Sequence, residues 1–287
     1  MRTPDRDLLN PPSWPTLRSF LRERLAADAD VEGMLAEGRF VRADGTAITG
    51  DEPCAPNQFL WFHRDLRDEP VVPFDFEVLY RDERIIVVDK PHFLSTIPRG
   101  RHVLQSVVVR ARDRFALPEL GAAHRLDRLT AGVLVLTTEQ RWRAAYQTMF
   151  EHRSVAKSYL ALAPVRTRLG LPATVVSHIR KRRGHLQAEE VPGADPNART
   201  LVELAETRGD YGRYLLTPLT GKTHQLRVHL NSLGIPIVGD PLYPEVIDVE
   251  LDDFRTALQL VARTLQFTDP VDGSPRHFES RVPLEWP

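Results

Sequence analysis

The first apolar pattern of the chain is helical. Apolar residues recur at the three- and four-residue intervals of one helix face at Leu17, Phe20, Leu21 and Leu25. A second short helical stretch passes through Met34 and Leu35, and short alternating strands then surround the turn signal at Asp44 and Gly45. The pattern predicts a small N-terminal α+β domain over residues 16–70.

Beyond prolines 70 and 73, which indicate a linker, the pattern changes to that of a buried sheet. Residues 85–88 and 133–136 are continuous apolar runs, as strands buried on both faces would show. Thr137 or Thr138 can cap a following helix. The apolar face of that helix comprises Trp142, Ala145, Tyr146, Met149 and Phe150. We expect an α+β fold with a mixed, largely antiparallel sheet over residues 71–287.

Composition narrows the class of protein. The 287 residues can bury a sizeable core, and no run approaches the ~20 apolar residues of a membrane span. Residues 1–15 contain four prolines and predict a flexible arm. The single Cys54 has no partner for a disulfide or a cysteine-rich zinc site. We therefore expect a cytoplasmic protein without a metal or another cofactor and without a membrane partner.

Charge differs between the two predicted domains. The chain holds 38 Lys and Arg against 39 Asp and Glu. Residues 1–70 carry 9 basic and 13 acidic side chains, whereas the remaining 217 carry 29 and 26. Because phosphate binding depends on where cations cluster, any attraction for a polyanion should come from local patches in the larger domain.

Three segments carry candidate chemistry. Asp127 lies in the run HRLD, just ahead of a predicted strand, where an isolated Asp is usually a turn or capping residue. VAKSYLALAP supplies Tyr159 on an extended run, and THQLRVHL supplies Arg227 on a predicted helix. His224 and His229 are five residues apart, which puts them on different faces of that helix and argues against a zinc pair.

In this order, the three segments resemble the signature blocks of the RluA family of RNA pseudouridine synthases. The resemblance extends over roughly residues 75–285 and includes residues 82–91 and 260–283. It implies an isomerase that breaks the N-glycosidic bond of a uridine, turns the uracil and rejoins the ribose through carbon 5. Such an enzyme needs a nucleophile, a proton-transferring group and a closed pocket.

The resemblance assigns roles to the three residues. Asp127 matches the nucleophile. Arg227 matches the pocket arginine, which beside a carboxylate would favour the ionised form and lower its pKa. Tyr159 matches the residue that stacks on the target base and transfers a proton, although a Tyr on a strand is also common as a half-buried structural residue.

Neighbouring residues receive secondary roles. Arg125 matches the side chain that fills the space of a flipped-out nucleotide, which we prefer to a salt bridge beside Asp127. We expect His124 to orient this loop, Leu226 to form an apolar wall under the base, and Lys157, which shares a strand face with Tyr159, to support charge or contact phosphate.

Two further groups are candidate RNA contacts. Lys222, Thr223 and Gln225 are predicted to open the helix that carries Arg227, where amides and the helix dipole can hold a phosphate. A basic run follows residue 178, and it fits either a solvated loop or a phosphate-contacting hairpin. That run comprises Arg180, Lys181, Arg182 and Arg183.

The N-terminal domain is loosely similar to the αL-type RNA-binding module of RluA relatives. Its acidic balance leaves open a degenerate domain that mainly packs on its neighbour. For the whole chain we predict an RNA pseudouridine synthase of ribosomal or transfer RNA, monomeric and without metal. The alternatives are a non-catalytic RNA-binding protein that keeps the fold and a carboxylate-based hydrolase, which would require a second carboxylate.

Overall fold

The computed structural model describes residues 1, 3, 14–25, 29–62, 68–100, 102–182 and 184–287. It divides into two compact units, Met1–Arg67 and Asp68–Pro287, which we call the N-terminal unit and the large unit. In the predicted arm, Met1 donates to the Leu60 carbonyl and Thr3 to that of Ala55. Most of the arm, residues 4–13, and the first part of the predicted linker (residues 64–77), residues 64–67, lie outside the described residues.

The N-terminal unit contains two short helices and a two-stranded sheet. Its elements are α1 (Leu17–Arg24), α2 (Val31–Ala36), β1 (Phe40–Val41) and β2 (Trp61–Phe62). Thr16 begins α1 with a capping box, in which its side chain accepts from the amide of Ser19 and the Ser19 side chain accepts from the Thr16 amide. The predicted apolar faces of α1 and α2 pack around Phe40, Ile48 and Leu60, which are at most 1% exposed.

The large unit contains one large sheet, and its helices connect strands along the chain. Its described helices are α3 (Val107–Phe115), α4 (Gln140–Glu151) and α5 (Gln225–Ser232). Its first six strands are β3 (Glu77–Arg81), β4 (Ile85–Lys90), β5 (Gly121–Ala122), β6 (Ala131–Thr137), β7 (Val155–Pro164) and β8 (Ala173–Ser177). The remaining strands are β9 (Ile179–Arg180), β10 (Glu189–Glu190), β11 (Ala198–Arg208), β12 (Tyr211–Pro218), β13 (Leu260–Thr268) and β14 (Pro275–Glu279).

The main sheet has the strand order β3-β4-β6-β13-β7-β12-β11-β8, with β5 beside β6 and β14 beside β13. The small hairpin of β9 and β10 lies outside this sheet. Among the described strands, β6 and β13 pair in parallel and every other pair is antiparallel. The expected α+β class with a mixed, largely antiparallel sheet is therefore confirmed.

The parallel pair of β6 and β13 forms a narrow seam in the sheet. It joins Ala131 to Val261 and Gly132 to Ala262. Gly132 has a φ of +114°, and a Cβ added there would lie 2.3 Å from the carbonyl oxygen of Ala262. Only glycine permits this approach of the two backbones. Tyr159 of β7 is the next partner of Ala262, so the seam lies beside a predicted site residue.

The buried strands agree with the apolar runs of the sequence. Both β4 and β6 are buried along their whole length. The prediction that Thr137 or Thr138 caps α4 is wrong. Thr137 is the last residue of β6, Glu139 is the N-cap without a side-chain bond, and the Thr138 hydroxyl bonds to the carbonyls of Glu83 and Arg84 instead. The Thr138 side chain therefore ties two strand ends together.

The described second half of the predicted linker belongs to the large unit. Residues 68–76 have no regular secondary structure, yet Val72 and Phe76 are buried in its core. The Glu69 carboxylate accepts from the amides of residues 103–105, which fixes this segment. In the part of the chain that the structure describes, no helix combines the length and the apolar character that a membrane crossing requires.

Candidate active site

Asp127 lies in the turn between β5 and β6, and buried polar groups fix the backbone on both sides of it. The Thr96 hydroxyl donates to the Leu126 carbonyl at 2.8 Å and accepts from the Leu126 amide at 3.1 Å. The amide of Thr130 closes the turn on the Asp127 carbonyl at 3.1 Å. The loop is therefore held by hydrogen bonds, while the Asp127 side chain stays 34% exposed.

The buried side chain of Lys90 also holds the Asp127 loop in place. Its side chain is fully buried, and its ammonium donates to the carbonyls of Pro91, Leu94 and Arg128 at 2.8–3.1 Å. Burial lowers the pKa of Lys90 to about 7, against the opposing effect of the Asp127 charge. Since Arg128 follows Asp127 directly, Lys90 positions the loop through its backbone.

Arg227 of α5 lies between two carboxylates. Its Nε and Nη2 donate to the two oxygens of Asp240 at 2.7 and 2.6 Å, and its Nη1 lies 3.7 Å from Asp127 Oδ2. Burial alone would lower the pKa of Arg227, but the hydrogen bonds and charge of Asp240 raise it overall. The expected pair of Arg227 and Asp127 is present, and Asp240 supplies the bidentate bond that fixes the guanidinium.

Tyr159 and Lys157 reach the same cavity from β7, as their shared strand face predicts. Burial and the nearby Asp127 charge raise the pKa of Tyr159 well above its usual value. Burial and the charge of Arg153 lower the pKa of Lys157. The Tyr159 hydroxyl therefore stays protonated at neutral pH beside the candidate nucleophile.

His224 also contacts this group of residues, although the sequence drew attention to it only as a possible zinc ligand. It is the N-cap of α5 in the left-handed conformation, with a φ of +57°. Its Nε2 lies 3.9 Å from Asp127 Oδ2, and its Nδ1 lies 3.1 Å from the Tyr243 hydroxyl. The Tyr243 ring lies 5.3 Å from the Arg227 guanidinium carbon, as a cation–π contact.

Asp127, Lys157, Tyr159, His224 and Arg227 line a cavity of about 1030 Å³. Asp127 is the one carboxylate among the described lining residues. The cationic lining residues are Arg99, Arg112, Arg125, Arg143, Lys157, Lys181, Lys222 and Arg227. A low-dielectric cavity with this charge distribution attracts a polyanion and brings it to one carboxylate.

The basic run begins at the last residue of β9 and continues into the segment that connects β9 to β10. Arg180 and Arg182 both pair with Glu189, at 3.0 and 2.8 Å, whereas Lys181 lines the cavity and interacts electrostatically with Asp127. The fourth residue of the run, Arg183, lies outside the described residues. Within the described part of the run, Lys181 is thus the residue that faces the site.

His124, Arg125 and Leu226 occupy different parts of the cavity wall. His124 Nε2 accepts from the Val135 amide at 3.2 Å, its ring stacks on Phe150, and burial lowers its pKa to about 3. This arrangement fits an orienting role. Arg125 is exposed, with no ion pair in the described part of the chain, and Leu226 is 7% exposed within a core cluster.

Helix α5 begins later than the sequence predicted. Lys222 and Thr223 precede it and are exposed, and the helix starts at Gln225. The Gln225 side chain is buried and accepts from the Lys222 amide and the Thr220 hydroxyl at 3.0 and 2.7 Å. Gln225 therefore folds the turn before the helix, and Lys222 is the charged group that this segment presents to the cavity.

Sequence reasoning missed the residues that hold the site in place, namely Lys90, Thr96, Asp240 and Tyr243. Asp240 and Tyr243 stand in the segment IPIVGDPLY, where a carboxylate directly after an apolar run was a usable signal. Among the described residues, no group of three or more His, Cys, Asp or Glu side chains is arranged to hold a metal ion.

Comparison with known proteins agrees with this geometry. The family model described as RNA pseudouridylate synthase matches residues 84–232. The dual-specificity RNA pseudouridine synthase RluA of Yersinia pestis is 32% identical over 210 residues, covering 70% of this chain and 97% of its own. The ribosomal large subunit pseudouridine synthase D of Xanthomonas campestris is 31% identical over 220 residues, covering 72% and 66%. The solved structure of human RNA pseudouridylate synthase domain containing 1 superposes with a TM-score of 0.59 at 27% identity, covering 75% of this chain and 87% of that one.

A mixed α+β fold that presents one carboxylate within a cationic cavity defines an enzyme acting on a polyanionic substrate. The chain belongs to the RNA pseudouridylate synthases, in the RluA family. It is therefore an isomerase that converts uridine in RNA to pseudouridine, as the sequence predicted.

Proposed function

We propose that this enzyme isomerises specific uridines of ribosomal or transfer RNA, with Asp127 as the nucleophile. The observation that carries the proposal is the convergence of eight described cationic side chains on a cavity whose single described carboxylate is Asp127. Relatives with the names of dual-specificity and ribosomal large subunit synthases support these two classes of RNA.

The roles of the pocket residues follow from their positions. Asp127 attacks the nucleotide, and Arg227, fixed by Asp240, keeps a positive charge 3.7 Å from the nucleophile. Tyr159 stacks on the uracil and takes part in proton transfer beside Asp127, and burial together with the charge of Asp127 raises the pKa of the phenol. Leu226 adds an apolar contact to the base.

The RNA strand is held by the cations at the cavity mouth. A paired uridine has to leave the helix to reach Asp127, at a cost of a few kcal/mol. The exposed Arg125 is free of ion pairs among the described residues and fills the vacated space. Lys157, Lys181 and Lys222 contact phosphates, with Arg180 and Arg182 in support.

The remaining properties follow from the substrate. We place the enzyme in the cytoplasm, where these RNAs are found, and propose that it acts as a monomer without a metal. The N-terminal unit stays a candidate RNA-binding module by resemblance, with a structural role as the alternative.

The test is to incubate the wild-type protein and its Asp127→Asn variant with total RNA from a strain that lacks the gene. Pseudouridine is then mapped at single-nucleotide resolution. New sites that appear with the wild-type protein alone support the proposal and name the RNA. If the variant modifies the same sites within about tenfold of the wild-type rate, Asp127 is not the nucleophile.

A further inference from the structure

Arg112 and Arg143 are cations of the cavity wall without an assigned role. Arg112 lies on α3 and Arg143 on α4, and both line the cavity beside β5, the strand that leads into the turn of Asp127. The proposed phosphate contacts lie elsewhere, on β7 and on the segments that follow β9 and precede α5. The two arginines therefore place positive charge on a part of the wall that no proposed contact uses.

Each of the two guanidinium groups is fixed by a main-chain carbonyl. Arg112 Nε donates to the carbonyl of Leu120 at 2.8 Å, and Arg143 Nη2 donates to the carbonyl of Glu119. Because Glu119 and Leu120 are consecutive residues, both guanidinium groups are held beside the same short stretch of main chain. Both arginine side chains are partly buried. The protein thus fixes the two cations before any ligand binds.

Gly121, the next residue of that stretch, makes room for Arg143. A Cβ built on Gly121 would lie 2.8 Å from the Nε and 3.3 Å from the Cζ of Arg143. The guanidinium therefore packs directly against the main chain of β5, where its Nε is buried without a hydrogen-bond partner among the described residues. A side chain at position 121 would displace the arginine, because two atoms cannot approach this closely.

Both arginines keep their charge available for a ligand. The two carbonyls are their only hydrogen-bond partners among the described residues, and no described Asp or Glu forms an ion pair with either. Glu119, whose carbonyl holds Arg143, uses its carboxylate to accept from the amide of Gln140 at 3.1 Å, at the start of α4. Both terminal nitrogens of Arg112 and the Nη1 of Arg143 are therefore left for a ligand.

Two adjacent guanidinium groups with free nitrogens suit a phosphodiester. Its two charged oxygens accept hydrogen bonds from the planar N–H groups of arginine, which stays protonated at any physiological pH. Because the protein has already fixed both side chains, binding such a group costs little side-chain entropy. RNA supplies a phosphodiester at every nucleotide linkage, so the substrate of this enzyme carries the matching group.

We propose that Arg112 and Arg143 form a clamp for one phosphate of the RNA strand that carries the target uridine. Gly121 is the positioning residue, because it lets the Arg143 guanidinium lie against β5. The clamp binds the sugar–phosphate backbone and so contributes affinity without reading the base sequence. This inference rests on the proposed function, in which a uridine of the same strand reaches Asp127.

The first test measures the binding of a short RNA stem–loop with uridines in its loop, at several salt concentrations. Arg112→Ala and Arg143→Ala should each weaken binding about tenfold. The double variant should reduce the salt dependence of log K by about 0.7–0.9 in total, the value for one phosphate contact. A reduction of about twice that size would indicate two separate phosphates and would overturn the shared clamp.

Arg114→Ala and Arg141→Ala are the matched controls from the same two helices. Arg114 pairs with Asp75 and Arg141 with Glu139, and neither arginine lines the cavity. Both controls should bind RNA within about twofold of the wild-type affinity. If they weaken binding as much as Arg112→Ala and Arg143→Ala do, the total charge of the protein accounts for the effect and the clamp is contradicted.

Catalysis at saturating RNA separates the clamp from a loss of folding. Arg112→Ala and Arg143→Ala should raise the RNA KM and keep kcat within about threefold of the wild-type value, because the clamp touches no reacting atom. A loss of kcat with an unchanged KM would contradict a role in RNA binding.

Gly121→Ala tests the geometry of the clamp while every charge is kept. The backbone of Gly121 lies outside the left-handed region, so alanine is tolerated there. Its methyl group should displace the Arg143 guanidinium and weaken RNA binding about threefold or more. Adding Arg143→Ala to this variant should weaken binding less than the same substitution does in the wild-type protein. Unchanged affinity of Gly121→Ala would contradict a clamp of fixed geometry.

RNA with single uncharged methylphosphonate linkages locates the phosphate. One position should weaken binding to the wild-type protein and have little effect on the double arginine variant, because that variant no longer contacts the phosphate. If every position affects the two proteins equally, the arginines act through a general attraction and the clamp is overturned.

The outcomes distinguish this inference from the proposed function. If the wild-type protein modifies RNA and the arginine variants bind it equally well, the clamp alone fails. If the wild-type protein binds the stem–loop with the expected effects of the arginines but no ribosomal or transfer RNA is modified, the proposed substrate fails and the clamp stands. Absence of measurable RNA binding by the wild-type protein would overturn both.

Discussion

The arginines of the N-terminal unit and the cations of the cavity have different surroundings. In the N-terminal unit, Arg18 and Arg22 pair with Glu32, and Arg42 pairs with Glu52. In the large unit, eight described cations line a cavity in which Asp127 is the one described carboxylate. An arginine neutralised by a neighbouring carboxylate has less attraction left for a phosphate, whereas cations that share one carboxylate keep most of theirs.

This difference indicates that the arrangement of the charged side chains, rather than the net charge, decides where RNA can bind. The whole chain has a net charge of −1, and this total hides one unit of paired charges and another with a cationic cavity. We therefore expect substitutions in the large unit to change catalysis and RNA affinity, and equivalent substitutions in the N-terminal unit to change neither.

The largest effect is expected at the shared carboxylate. Asp127→Asn should lower kcat by about 10³-fold or more, because the amide cannot act as a nucleophile. RNA affinity should stay the same or increase, since one negative charge leaves a cationic cavity. Single-turnover rates and filter-binding affinities check both effects, and weaker binding by more than about threefold would contradict the electrostatic account.

The next effect concerns the carboxylate that fixes Arg227. Asp240 is fully buried, so Asp240→Asn would leave the guanidinium without its ionic partner and should lower the free energy of unfolding by about 3–5 kcal/mol. Asp127→Asn is the matched control, with an expected loss below about 1 kcal/mol, because Asp127 is partly exposed. Urea unfolding measures both, and equal stability of the two variants would remove the distinction.

The pH dependence of stability should differ between the units. Burial lowers the pKa of His92 and His229 to about 4 and that of His124 to about 3, all in the large unit. In the unfolded chain each histidine titrates near ~6.5. Above that pH the buried neutral histidines do not reduce the free energy of unfolding. As the pH falls from there towards 4, the free energy of unfolding decreases by about 1.4 kcal/mol per pH unit for each histidine, because the unfolded chain binds a proton that the folded protein does not.

Hydrogen exchange, corrected for intrinsic rates, can locate this loss. Between pH 7 and 5, protection should fall in the large unit, which contains these three histidines. Protection that falls first in the N-terminal unit would contradict the prediction.

A smaller effect is expected at the cavity mouth. Lys181→Ala should weaken RNA binding and reduce the salt dependence of log K by about 0.7–0.9, the value for one phosphate contact. Arg180→Ala is the matched control from the same hairpin, and its effect should be smaller because Arg180 already pairs with Glu189. If the two variants show the same salt dependence, the run acts as a uniform basic patch.

The smallest effect is expected in the N-terminal unit. Arg22→Ala and Arg42→Ala should leave RNA affinity within about twofold of the wild-type value, since both guanidinium groups are already paired. Affinity measured at two salt concentrations checks this. A clear loss in either variant would favour the resemblance to an RNA-binding module over the structural alternative.

Local patterns predicted much of the fold. The apolar runs located β4 and β6, because a strand buried on both faces has apolar residues at every position. Helical spacing located α1 and α4, because burial of one helix face places apolar residues at intervals of three and four. The start of α4 was misassigned because a Thr hydroxyl serves a cap or a distant carbonyl equally well, and sequence does not show which lies nearby.

The candidate site was predictable where a motif carried it. The blocks around Asp127, Tyr159 and Arg227 indicated residues that the fold brings into one cavity. The supporting residues were not predictable in this way. Hydrogen bonds to residues 13–55 positions away give Lys90, Asp240 and Tyr243 their roles, and the pattern of a single sequence does not indicate such distant contacts.

The seam at Gly132 has a consequence for engineering this enzyme. Asp127 is carried by the part of the sheet that ends at β6, and Tyr159 by the part that begins at β13. The spacing between Asp127 and Tyr159, the proposed nucleophile and the proposed stacking residue, therefore depends on a strand contact two residue pairs wide, in which Gly132 has no side chain. We expect the methyl group of Gly132→Ala to push the two backbones apart and so to shift Asp127 relative to Tyr159.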